Sequence, residues 1–133
     1  MGGYDHSMPL NESFGWLWIL IGFVSGFLLG LGFHRDDWMG GYGSFRRRLI
    51  RLGHISFVGL GILNILFALS APRIALSEPW LSVASWALVA GGLTMPLSCI
   101  LMAWRREFYP LFVVPVISLT LGAGLVVAGL LGP

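Results

Sequence analysis

The sequence predicts an all-α integral membrane protein, a four-helix up-down-up-down bundle with both termini on the non-cytoplasmic side. Three observations lead there. Of 133 residues, 56% are hydrophobic and 11% charged, against roughly 25% charged in a soluble domain, and the mean hydropathy is +0.83. A small water-soluble domain leaves too much surface exposed to hide that much apolar material. Four apolar runs approach the roughly 20 residues that a bilayer-crossing helix needs. The charge is also segregated. All eight cations are arginine, five in the first join, two in the third and one in the second. Cytoplasmic joins carry the excess of cations, so the first and third joins are expected in the cytoplasm, most simply across a bacterial inner membrane. The whole chain forms one transmembrane domain.

Residues 1–13 read as a short polar tail that contains His6, with Asn11 or Ser13 capping the first helix. The tail has no Lys or Arg, so it does not resemble the positive start of a cleaved signal peptide, and the first run is expected to remain as a span. Span one covers about 14–33. Gly22, Gly26 and Gly30 fall four apart and make a groove into which a neighbouring backbone fits. The basic loop 34–52 follows, with interfacial Trp38, Tyr42 and Phe45. Ser44 is a helix cap, and the run from 45 to 53 is expected to lie along the headgroups before turning inward.

Span two covers about 53–70. His54, Phe57, Gly61, Asn64 and Ala68 recur at three and four residues and share a face. His54 and Asn64 should point into the bundle, since a polar group facing lipid is costly. Span three covers about 80–104 and carries a small-residue seam through Ala84, Ala87, Gly91, Thr94 and Ser98. Pro96 should kink it and leave the Gly92 carbonyl without its helical donor, to be satisfied by Thr94 or a water. Span four covers about 108–131. Pro110 suits its first turn, and Pro115 should loosen its early part.

Candidate chemistry is sparse. His34 and His54 flank the first join and are expected at similar depth. A facing pair of imidazoles could ligate a haem iron, hold a metal with Asp36 or Asp37, or bind a quinone head or relay protons. The plainer reading is two interfacial histidines that only hydrogen-bond. The cofactor-binding candidates are therefore His34, His54 and Asn64. Arg46, Arg47, Arg48, Arg51, Arg105 and Arg106 are candidate contacts for lipid headgroups or other anions. Asp36 and Asp37 are expected to pair with Arg35 and with Arg46, Arg47 and Arg48 as a solvated network. Gly22, Gly26, Gly30, Gly61 and Gly91 are helix-packing candidates. Cys99, the single cysteine, is a small packing residue. Span interiors contain no Asp, Glu, Lys or Arg, which argues against an ion-coupled pathway. Basic residues beside spans do not make a nucleic-acid surface.

The four-span size and the arginine–histidine start of span two resemble hydroxylaminobenzene mutases. The resemblance covers the middle third of the chain and carries over no catalytic residue. It implies a small membrane enzyme acting on an apolar substrate. The residues themselves favour an accessory subunit of a multi-subunit membrane complex, of respiratory or photosynthetic type, whose partners are lipids, anionic headgroups and other integral membrane subunits. A haem- or quinone-binding redox protein is the alternative.

Overall fold

A computed structural model describes residues 7–132, with side chains from Pro9 onward. His6, placed by the sequence in the outer tail, lies outside them. Four α-helices account for most of the chain: α1 (Ser7–Gly30), α2 (Phe45–Ser70), α3 (Glu78–Trp104) and α4 (Val113–Leu131). Tight 3₁₀ turns cover Trp38–Gly40, Ala71–Arg73 and Arg106–Phe112. No strand occurs among the described residues. All four helical segments are long and apolar enough to cross a membrane, and the protein is an integral membrane protein.

Several boundaries differ from expectation, each for a local reason. α1 starts at Ser7, so Asn11 and Ser13 lie inside the helix and cap nothing. Asn11 is fully buried, because a helical backbone lets its amide reach partners on α2 and α3. α2 does not run along a surface and then bend at Gly53. Ser44 caps it by accepting a hydrogen bond from the Arg47 N–H (3.2 Å), and the helix then continues unbroken for 26 residues. Gly53 is instead where α3 comes close, since a Cβ there would sit 3.3 Å from Cys99 Cβ. At 1.5 Å per residue α2 is about 39 Å long, more than the ~30 Å of hydrocarbon. Its arginine-bearing start is therefore more length than a crossing needs. In the last segment the α-helix begins at Val113, leaving Pro110 in the preceding 3₁₀ turn. Pro115 falls in the first turn of α4 and is fully buried. There its missing N–H has no intrahelical acceptor to lose, so it does not loosen the helix.

Glycines set the helix–helix distances. A Cβ on Gly61 would lie 2.7 Å from the Gly15 carbonyl oxygen, and one on Gly15 would lie 2.5 Å from the Gly61 oxygen. The backbones of α1 and α2 therefore touch at that point. Further along α1, Gly22 faces Val58 and Gly26 faces the His54 ring. Gly30 has nothing within 4 Å and takes no part in this seam. On the other side of the bundle, Gly91 receives Leu119 and Gly122 receives Leu88. The apolar core between α2, α3 and α4 is built from Phe67, Ala71, Ile74, Leu81, Ala84 and Leu88, with a smaller cluster of Leu49, Met102 and Ala103 near the arginines.

Candidate functional site

Cations gather at one end of the bundle, where aromatic rings and carbonyls hold most of them. Arg46 lies over the Trp104 ring (5.4 Å to the centroid), and its Nε donates to the Ala103 carbonyl (3.2 Å). Arg106 lies 4.3 Å over Phe45 and Arg51 lies 4.4 Å over Tyr42. These contacts put the first and third joins at the same end. Arg47 is only 4% exposed. Its guanidinium is surrounded by Phe33, Trp38 and Tyr42, at 5.2, 5.6 and 5.3 Å from the ring centroids. Its Nε has no hydrogen-bond partner among the described residues. Guanidinium is planar and weakly hydrated, so ring faces offset its desolvation better than they would for an ammonium.

The loop that carries those rings is tightly folded. Met39, Gly40 and Gly41 all have positive φ (54°, 85° and 95°), and the Ser44 hydroxyl donates to the Met39 carbonyl (2.7 Å). The Trp38 ring lies over Gly32 so closely that a Cβ there would come within 2.3 Å of it.

The expected acidic–basic network does not form. Among the described residues the one ion pair is Arg35–Asp37 (3.9 Å), with both side chains mostly exposed. A solvated pair of that kind contributes little. Consecutive residues on a helix point about 100° apart, so one acidic pair cannot serve Arg46, Arg47 and Arg48 together. This end holds seven arginines (35, 46, 47, 48, 51, 105 and 106) and three carboxylates (36, 37 and 107), and seven minus three leaves a formal charge of +4. On the outside of α2, an open groove of about 460 Å³ is lined by Phe45, Arg48, Leu49, Arg51, Leu52 and Ile55.

The two histidines are not brought together. His34 is exposed in the turn beyond α1. His54 is half-buried between α1 and α2, with its Nδ1 2.9 Å from the Ser25 hydroxyl. The Cε1 and Nε2 atoms of its ring lie against Gly26, at 2.8 and 3.2 Å from where a Cβ would stand. The ring is thus turned toward α1, a full turn or more inside the helix end. The similar depth expected of the pair is not found. No cluster of three or more His, Cys, Asp or Glu occurs among the described residues.

The interior holds two polar devices. In the first, Asn11 Nδ2 donates to Asn64 Oδ1 (2.7 Å) and to the Ser85 carbonyl (3.3 Å), while the Ser85 hydroxyl donates to Asn11 Oδ1. Asn64 Nδ2 also donates to the Leu60 and Leu88 carbonyls (2.9 and 3.3 Å). All three residues are completely buried, so one network ties α1, α2 and α3. In the second, Trp18 Nε1 donates to the Gly92 carbonyl at 2.8 Å, the carbonyl that Pro96 deprives of its helical donor. Thr94 does not serve it; its hydroxyl bonds the Ala90 carbonyl (2.7 Å). Trp18 is itself fixed by stacking on Phe14 (4.3 Å) and edge contact with Phe57 (5.6 Å). Trp18, Ser25 and Ser85 were not singled out by sequence reasoning, and Asn11 only as a helix cap. The α1 signal was available: Asn11, Gly15, Trp18, Gly22 and Ser25 recur at alternating four and three residues, the spacing of a packed seam.

These features define a polytopic, all-helical membrane protein with a locked polar interior and one cationic end. Comparison with known protein families, curated proteins and solved structures found no match, and none supports the resemblance to hydroxylaminobenzene mutases.

Proposed function

We propose that the protein is an accessory, structural subunit of a larger membrane complex. The observation that carries this reading is that the interior polar side chains are spent on one another and on backbone carbonyls of neighbouring helices. Asn11, Asn64, Ser85 and Trp18 all bridge helices, which makes a rigid unit rather than a pathway or reaction chamber. The outer helices offer the faces for docking. On α4, Ile117, Thr120, Leu121, Gly124 and Leu125 line an apolar groove of about 430 Å³. Gly124 has nothing within 4 Å, in contrast to Gly91 and Gly122, whose notches are filled. A groove with a small-residue floor suits a transmembrane helix of another subunit.

The topology proposed with it is up-down-up-down. Partners of Gly15, Gly22 and Gly26 fall from Ile65 through Val58 to His54 as α1 advances, which fits antiparallel neighbours. The shared arginine end then lies in the cytoplasm and both termini outside, by the positive-inside tendency, in a bacterial inner membrane. Anionic headgroups at the cationic end and a respiratory or photosynthetic type of assembly belong to the same proposal.

The test is extraction of the full chain in a mild detergent, followed by sizing and identification of what accompanies it. A stoichiometric integral membrane partner that is lost in Gly124→Trp is the expected result. A lone monomer, or a partner indifferent to that substitution, overturns the docking assignment.

A further inference from the structure

We propose that the groove at the start of α2 is a binding site for one anionic phospholipid, with Arg48 and Arg51 on the phosphate and Leu52 and Ile55 along the upper acyl chain. This deepens the headgroup contact described above and does not rest on the subunit assignment. The structure divides the arginines by what already holds them. Arg46, Arg47 and Arg106 are committed to rings or carbonyls within the chain. Arg48 has neither an ion pair nor a ring partner among the described residues and is exposed at the groove. Arg51 lies three residues on, on the same face of the helix. Tyr42 holds it from one side, with the ring below the guanidinium and the Tyr42 carbonyl 3.5 Å from Nη2. That contact orients the group and leaves its remaining donors free.

The rest of the groove selects an amphiphile over a free anion. Leu52 and Ile55 are exposed, at 41% and 62%, and continue the same stripe toward the middle of α2. From Arg48 to Ile55 the helix descends about 10 Å, enough to pass from headgroup level to the edge of the hydrocarbon. A free phosphate would leave that apolar half unused. The formal +4 of this end is not neutralised by the carboxylates described there, which favours an anion from outside the chain. Phe45, stacked on Arg106, closes the upper rim.

The experiment is native mass spectrometry of the full-length protein released from detergent, titrated with dioleoyl phosphatidylglycerol or with dioleoyl phosphatidylcholine. The wild type should retain the anionic lipid preferentially. Arg48→Gln with Arg51→Gln should weaken that retention about thirtyfold, the loss expected for two interfacial cations, while Arg73→Gln, in the second join, leaves it unchanged. Ile55→Glu, which keeps both guanidiniums, should also weaken it. Millimolar inorganic phosphate should not displace the lipid. Equal retention of the two lipids, an unaffected double variant with native helicity, or displacement by inorganic phosphate would each overturn the proposal. The last result would identify a free-anion site. Because the isolated protein is measured, the outcome is independent of whether a partner subunit exists.

Discussion

Trp18→Phe should destabilise the bundle chiefly through one carbonyl. The Gly92 oxygen sits in the middle of α3 and has lost its helical donor to Pro96, and the Trp18 indole N–H replaces that donor at 2.8 Å. Removing the indole leaves a buried acceptor unpaired, which costs about 1–3 kcal/mol, with some further loss from the smaller ring. The two contributions separate in a double-mutant cycle. Pro96→Ala restores a backbone N–H four residues after Gly92, so the carbonyl no longer depends on Trp18. The ring-size loss is common to both backgrounds and cancels. The coupling between the two sites should be about 1–2 kcal/mol, in the upper part of the range for hydrogen bonds between membrane helices because the alternative is an orphaned backbone group. Equilibrium unfolding of the four proteins in mixed micelles, followed by helicity, measures it. If Trp18→Phe costs the same with and without Pro96, the indole is a packing group and the proposed compensation is wrong.

Three further outcomes follow from the same contacts. Gly61→Ala should cost about 1–3 kcal/mol through overpacking against the α1 backbone, while Gly59→Ala, whose Cβ would enter open space, should be neutral or stabilising by up to about 1 kcal/mol; unfolding midpoints of the two variants check this, and similar effects would count against the glycine contact. Asn64→Leu should cost about 1–3 kcal/mol, since the buried Asn11 amide loses the better of its two acceptors. A Leu variant as stable as the wild type would mean that the interior network holds nothing together. Arg47→Lys keeps the charge but loses the planar face between three rings, and thermal unfolding should reveal a loss of about 1–2 kcal/mol. An unchanged melting temperature would show that the ring cage is incidental.

Composition and spacing carried most of the architecture. Four long apolar segments and the burial of Asn64 are both legible from hydropathy and from the three-and-four recurrence on α2. Gly22, Gly26, Gly61 and Gly91 each meet a neighbouring helix of the same chain, a choice of partner that spacing alone cannot make. What escaped had physical causes. Asn11 looks like a cap because Asn is favoured there. Only the geometry of three helices reveals that its amide is satisfied by Asn64 and Ser85. The Pro96 defect was readable, yet its remedy lies on α1, 74 residues away in sequence, and Trp18 looks like any other aromatic in an apolar run. The charges of the basic loop 34–52 read as a solvated network. The rings of Phe33, Trp38 and Tyr42 pack on Arg47 instead, because ring faces can offset a guanidinium's desolvation where carboxylates are out of reach.

The proposed placement of the two arginine-rich joins on the cytoplasmic face is tested most directly by side-specific labelling. Single cysteines at Gly43, Ser77 and Glu107, all exposed and each introduced alongside Cys99→Ala, are treated in intact cells with a membrane-impermeant maleimide. Cysteine at 77 should label at once, and cysteines at 43 and 107 only after the membrane is opened. Labelling of 43 or 107 from outside in intact cells would contradict the arrangement, and with it the cytoplasmic lipid site.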